Sequence, residues 1–130
     1  MTKPVGIVLV SHSAELASGL CALLAQIGGG EVPVVAAGGT DDGRIGTSYQ
    51  RVADAITQAD RGQGVVVLPD LGSSVLTTRS VLDDHPAPGV VLVDAPFVEG
   101  AVAAAVTAAS GGDLDAVAHA AKEARDVPKL

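Results

Sequence analysis

The sequence predicts an α/β fold: a doubly wound, mostly parallel sheet of four or five strands with helices on both faces. Three observations predict it. Four short β-rich runs, at residues 5–10, 32–37, 64–68 and 89–93, are apolar on consecutive rather than alternate positions, as strands buried on both faces require. Segments with helical spacing separate these runs, and strand alternating with helix indicates right-handed βαβ crossovers. Aromatic residues are confined to Tyr49 and Phe97 while Ala, Val, Gly and Leu dominate. Small side chains let helices sit close to a sheet.

Each helix has a readable start or stop. In the first, Leu16, Leu20, Leu23, Leu24 and Ile27 recur at three and four residues, and Gly28-Gly29-Gly30 supplies the stop. Thr47-Ser48-Tyr49-Gln50 has the form of a capping box ahead of Val52, Ala55 and Ile56. Ser73 or Ser74 can cap a third helix bearing Val75, Leu76 and Leu82, which His85-Pro86 ends because proline disfavours helix at the preceding residue. Pro96 opens a fourth helix through Ala109, closed by Gly111. Asp113 can cap a fifth, with Leu114, Val117 and Ala121 inward and Lys122 and Arg125 near its negative end.

At 130 residues, 48% hydrophobic and 18% charged, the chain has material for one packed domain over residues 1–130 and too little charge for disorder. A net charge of −7 is the wrong sign for neutralising phosphates, so nucleic acid is excluded as a partner. The single cysteine, Cys21, forms no internal disulfide and reads as a reduced thiol, which makes a cytoplasmic setting the expectation. The N-terminus from Met1 to Pro4 leads into a run too short for a signal peptide, and no stretch approaches the ~20 apolar residues of a membrane span.

In an open α/β sheet, reactive groups gather outside the carboxyl ends of the strands. There the sequence places Ser11-His12-Ser13, Gly38-Gly39-Thr40-Asp41-Asp42, Asp70-Leu71-Gly72-Ser73-Ser74 and Asp94-Ala95-Pro96. His12 has no packing reason to stand at a strand-to-helix turn. A histidine is largely neutral near pH 7, so one ring nitrogen carries a free lone pair and can act as a nucleophile. A carboxylate at the next strand end, Asp70, can fix its tautomer and orientation. Ser11, Ser13, Gly72, Ser73 and Ser74 lie at two helix N-termini, whose unpaired N–H groups suit a phosphoryl group, and Gly38, Gly39 and Thr40, with Gly46-Thr47, can add backbone donors. The reading is a transient phosphohistidine on His12.

Plainer roles stand beside these. Asp70 can be a helix cap, as can Ser13, Ser73 and Ser74. Asp41 and Asp42 read as turn residues, His85 and His119 as surface residues, and Glu99 as a favourable charge at a helix start. Neither metal nor cofactor is expected, because no His/Cys ligand spacing accompanies the carboxylates. No P-loop, dinucleotide fingerprint or Gly-x-Ser-x-Gly elbow occurs. A response-regulator receiver needs an acidic pair after the first strand, where this chain has Ser11-His12. A non-enzymatic binding module with a polar His12–Asp70 pocket remains the other reading.

Five motifs, Val8-Leu9-Val10-Ser11-His12-Ser13, Ala36-Ala37-Gly38-Gly39-Thr40, Ile45-Gly46-Thr47-Ser48, Asp70-Leu71-Gly72-Ser73-Ser74 and Ala95-Pro96-Phe97-Val98-Glu99-Gly100, together resemble the phosphoryl-donor subunits of bacterial dihydroxyacetone kinase. Their leading domain is similar to the mannose-type IIA domains of the sugar phosphotransferase system. The resemblance covers essentially the whole chain. It implies the mannose-type IIA fold and a cytoplasmic homodimer that takes a phosphoryl group from the phosphocarrier HPr on the histidine matching His12, with the aspartate matching Asp70 beside it. It further implies transfer to ADP on the nucleotide-binding kinase subunit (DhaL), the resulting ATP phosphorylating dihydroxyacetone on the substrate-binding subunit (DhaK). Many relatives carry an HPr-like domain and a partial enzyme I domain, and this chain stops at Leu130, so separate carriers are expected. Mannose-type domains have Trp-Gly-Gly after the carboxylate where this chain has Leu71-Gly72-Ser73, which favours the dihydroxyacetone branch over the alternative, sugar uptake.

Overall fold

Every strand of the sheet runs in the same direction. The computed structural model describes residues 3–28 and 30–130. Strands β1 (Gly6–Ser11), β2 (Val34–Gly38), β3 (Val65–Pro69) and β4 (Val90–Leu92) pair in parallel in the order β2-β1-β3-β4. Between and after them run α1 (Ala14–Ile27), α2 (Tyr49–Ala59), α3 (Gly72–Asp84), α4 (Phe97–Ala109) and α5 (Leu114–Glu123), with a 3-10 turn at Ala124–Asp126. Among the described residues the sheet has four strands, the lower of the two counts expected.

Consecutive apolar residues in the central strands face opposite layers, as the two-residue period of a strand dictates. Ile7 and Leu9 of β1 and Val66 and Leu68 of β3 pack with Leu20 and Leu24 of α1, Ala101 and Ala105 of α4 and Val117 of α5. Val8, Val10, Val65 and Val67 pack on the other face with Val52 and Ala55 of α2 and Val81 of α3. Each fully buried Leu or Val stabilises the fold by about 1.5–3 kcal/mol relative to exposure. The central strands are thereby the best-anchored part of the molecule, and both end beside the site.

Both outer runs pair over less length than expected: β2 starts at Val34 because Pro33 has no N–H to donate, and β4 keeps three residues. Of the three glycines expected to stop the first helix, Gly28 is the C-cap, its N–H bonding to the Leu24 carbonyl at 2.8 Å, while Gly29 lies outside the described residues, as do Met1 and Thr2. The inward face of α1 is Ala17, Leu20 and Leu24. Leu16, Leu23 and Ile27 remain more than 40% exposed.

Ser13, Ser48 and Asp113 cap α1, α2 and α5, each accepting a first-turn N–H. The second of these caps stands one residue later than the capping box predicts: Ser48 accepts from Arg51 N, and Gln50 turns to Asp54 instead. The third helix also differs. It starts at Gly72, its N-cap Leu71 makes no side-chain bond, and its buried residues are Ser74, Thr78 and Val81 rather than Val75, Leu76 and Leu82. Among the described residues, no helix is long and apolar enough to cross a membrane.

Candidate active site

Strand register brings the site together. Val10 lies opposite Pro69 and Ser11 opposite Gly38, so the residues that follow β1, β3 and β2 emerge side by side. The Asp70 N–H bonds the Val10 carbonyl at 3.0 Å, carrying the pairing of β1 and β3 one residue beyond β3 and setting the Asp70 carboxylate against the β1–α1 turn.

His12 is the first residue of that turn, its side chain 19% exposed and that of Asp70 9%. Its Nδ1 lies 2.9 Å from Asp70 Oδ1. Asp70 also accepts from the Ser74 hydroxyl at 2.7 Å and the Leu71 N–H at 2.6 Å on Oδ1, and from the Ser11 hydroxyl at 2.8 Å and the His12 N–H at 3.0 Å on Oδ2. Burial, the largest influence on this carboxyl, raises its pKa, but the bonds from Ser74, His12 and Ser11 together outweigh it and take the pKa down to about 2. An ionised carboxylate only accepts, so Nδ1 donates to it. The Ser73 hydroxyl bonds Nε2. The imidazole is thus held from both ends, by Asp70 at Nδ1 and Ser73 at Nε2.

The remaining predicted residues divide sharply. Ser11 is fully buried and its hydroxyl also accepts from Ser13 N at 3.0 Å, so it braces the turn from beneath. Ser13 caps α1 through Leu16 N. The Gly39 N–H bonds Ser11 O at 3.1 Å and the Thr40 N–H bonds Arg44 O at 2.9 Å, which commits both donors within the fold. Gly38 serves packing: a Cβ there would stand 2.6 Å from Ser13 O and 2.8 Å from Ala14 Cα. Gly72 and Ser73, the first residues of α3, have N–H groups that make no hydrogen bond within the described residues, as the first turn of a helix leaves them. Ser73 and Ser74 are not caps; their hydroxyls are committed to His12 and Asp70.

Gly46 and Thr47, expected as backbone donors to an anion, instead brace the site, and sequence reasoning passed over one contributor, Thr77. The Gly46 N–H bonds the His12 carbonyl at 2.9 Å, with φ +147 that favours glycine. Thr47 Oγ1 lies 2.7 Å from Thr77 Oγ1. Thr77 stands four residues after Ser73, hence on the same helix face, and that spacing was the one available signal. The other flagged residues have surface partners: Asp41 pairs with Arg51 at 3.0 Å, Asp42 with Arg44 at 3.3 Å, Glu99 with Lys129 at 2.9 Å and His119 with Glu123 at 2.6 Å. His85 ends α3 beside Tyr49. No group of three or more His, Cys, Asp or Glu residues among those described is placed to hold a metal ion.

The arrangement supplies an oriented imidazole, a carboxylate with a lowered pKa behind it and unpaired amides at a helix start beside it. A family model described as "PTS system fructose IIA component" matches residues 6–118, and the chain belongs to this IIA family. A crystal structure of a protein of unknown function, EF1359, superposes with a TM-score of 0.83 at 34% identity, covering 98% of this chain and 97% of that one. The chain is 37% identical over 105 residues to the phosphoryl donor subunit DhaM of PEP-dependent dihydroxyacetone kinase 2 from Listeria innocua, covering 78% of this chain and 84% of the relative. It is 36% identical over 131 residues to the DhaM subunit of Escherichia coli, covering 96% of this chain but 28% of that longer protein. Within the IIA family the chain belongs with the DhaM phosphoryl donor subunits.

Proposed function

We propose that this protein accepts a phosphoryl group on His12 Nε2 from the phosphocarrier HPr and passes it to ADP held by the nucleotide-binding subunit of dihydroxyacetone kinase, DhaL, with DhaK reached only indirectly through the ATP formed. The observation that carries the reading is the placement of the ring: Asp70 Oδ1 lies 2.9 Å from Nδ1, which leaves Nε2 as the nitrogen to attack phosphorus. In the first step the Nε2 pair attacks phosphorus while the donor nitrogen–phosphorus bond breaks and its electrons return to the donor imidazole. In the second, a terminal oxygen of ADP attacks, and Nε2 recovers its pair as the bond to phosphorus breaks. The Nδ1 proton stays in place throughout, and Asp70 balances the positive charge on the phosphorylated ring. The transferring group passes through a loose, in-line transition state that needs placement and charge stabilisation more than covalent help. Of the residues flagged for phosphate, Ser73 and the amides of Gly72 and Ser73 face this task, while Ser11, Ser13, Ser74, Gly38, Gly39 and Thr40 build the frame around it.

The working unit in this reading is a cytoplasmic homodimer, a state that the exposed Leu16, Leu23 and Ile27 along one side of α1 favour. The test is incubation with phosphoenolpyruvate, enzyme I and HPr followed by mass spectrometry. The expected product is an acid-labile, base-stable phosphate on His12, absent from His12→Ala. Phosphate on Asp70, or none, would sink the proposal. Adding purified DhaL with ADP should discharge the label into ATP; discharge only to a sugar-transport component would assign the chain to sugar uptake.

A further inference from the structure

The Ser73 hydroxyl and the free amides beside it sit on a helix start that no side chain caps. Helix α3 begins with Gly72, its N-cap Leu71 offers no side-chain acceptor, and Leu71, Gly72 and Ser73 are all exposed. A glycine at a helix start without a cap frays readily, because glycine loses the most backbone freedom on ordering and a missing cap leaves nothing to offset it. Ser74 is tied to Asp70 and lies 3.3 Å from His12 Nδ1, while Ser73 meets the ring at Nε2.

What holds that side is a threonine from another part of the chain. Thr47 Oγ1 pairs with Thr77 Oγ1 at 2.7 Å, one helical turn after Ser73, and donates to the Ser73 carbonyl at 3.5 Å. Thr47 is itself fixed, bridged to Gly39 and preceded by Gly46, whose N–H grips the His12 carbonyl. The segment before α2 therefore touches the nucleophile's backbone with one residue and the turn bearing its hydroxyl partner with the next. We infer that Thr47 is a positioning residue: through Thr77 and the Ser73 carbonyl it clamps the first turn of α3 so that the Ser73 hydroxyl and the amides of Gly72 and Ser73 stay aligned with His12 Nε2.

This inference rests on His12 being the phosphoryl acceptor, and the experiment separates the two. Thr47→Val removes the hydroxyl at nearly constant volume, Thr47→Ser keeps it, and Thr77→Val removes its partner. Initial rates of phosphoryl uptake from phospho-HPr should fall about fivefold in Thr47→Val, the size expected for one neutral hydrogen bond. The fall should appear in the maximal rate rather than in the HPr concentration dependence. Thr77→Val should lose less, because Thr47 keeps the Ser73 carbonyl, the double variant should be no slower than Thr47→Val, and Thr47→Ser should recover the rate. In the unphosphorylated protein, the 15N resonance of His12 Nε2 should move in Thr47→Val and return in Thr47→Ser. Rates within twofold of the unmodified protein with an unmoved Nε2 resonance would overturn the inference, as would losses that add in the double variant. Failure of the underlying reading looks different: no phosphohistidine in the unmodified protein, with the Nε2 resonance still reporting on the clamp.

Discussion

Asp70 accepts five hydrogen bonds, from Ser11, the His12 backbone, the His12 ring, Leu71 and Ser74, and two consequences follow at the scale of this one residue. The first concerns rate. Asp70→Ala should fold yet transfer phosphoryl ~10²-fold or more slowly, since nothing then selects the Nδ1–H tautomer or balances charge on the ring; single-turnover labelling measures this, and an unchanged rate would reduce Asp70 to a structural tie. The second concerns acid. A carboxyl whose pKa drops from 3.8 to about 2 on folding stabilises the native state fully above pH 4, and that contribution disappears as pH falls through about 2. The amount is about 2 kcal/mol. Urea melts of the protein between pH 5 and 2 should show this loss, and Asp70→Asn should lack that part of the slope.

At the scale of elements, the site depends on how closely β2 approaches α1. Gly38→Ala should lower stability by about 1–3 kcal/mol, because the added methyl meets the Ser13 carbonyl and the Ala14 backbone, which cannot move without shifting the cap of α1. A thermal melt checks it. Glycine at such a position looked like an anion cradle in the sequence, since close approach to a ligand and close approach to a helix ask for the same residue. The same ambiguity explains what was and was not legible. Buried strands and the His12–Asp70 pair follow from patterns local to each strand and from where strand ends gather. The start of α3 did not, because a serine that caps and a serine that reaches another strand's histidine are identical until the turn's direction is known. The pairing of Thr47 with Thr77 was invisible for a related reason: 30 residues separate them, and neither carries a charge or a ring.

Over the whole molecule, fifteen acidic residues against eight basic ones leave a field that favours approach of a basic protein face. If HPr is the donor, as proposed, phosphoryl uptake from it should slow several-fold between about 50 and 500 mM salt, through association rather than through the maximal rate. Stopped-flow measurement at several ionic strengths checks it, and a salt-independent rate would mean that surface charge plays no part in the encounter. The bond between His12 and Asp70 spans 58 residues of chain, and it exists only once β3 has slotted in beside β1. Long-range closures of this kind come late in folding. Chains in which that docking is incomplete carry the imidazole without its carboxylate, and on the proposed function would take up phosphoryl groups only slowly. On that function, competence to react would certify finished folding.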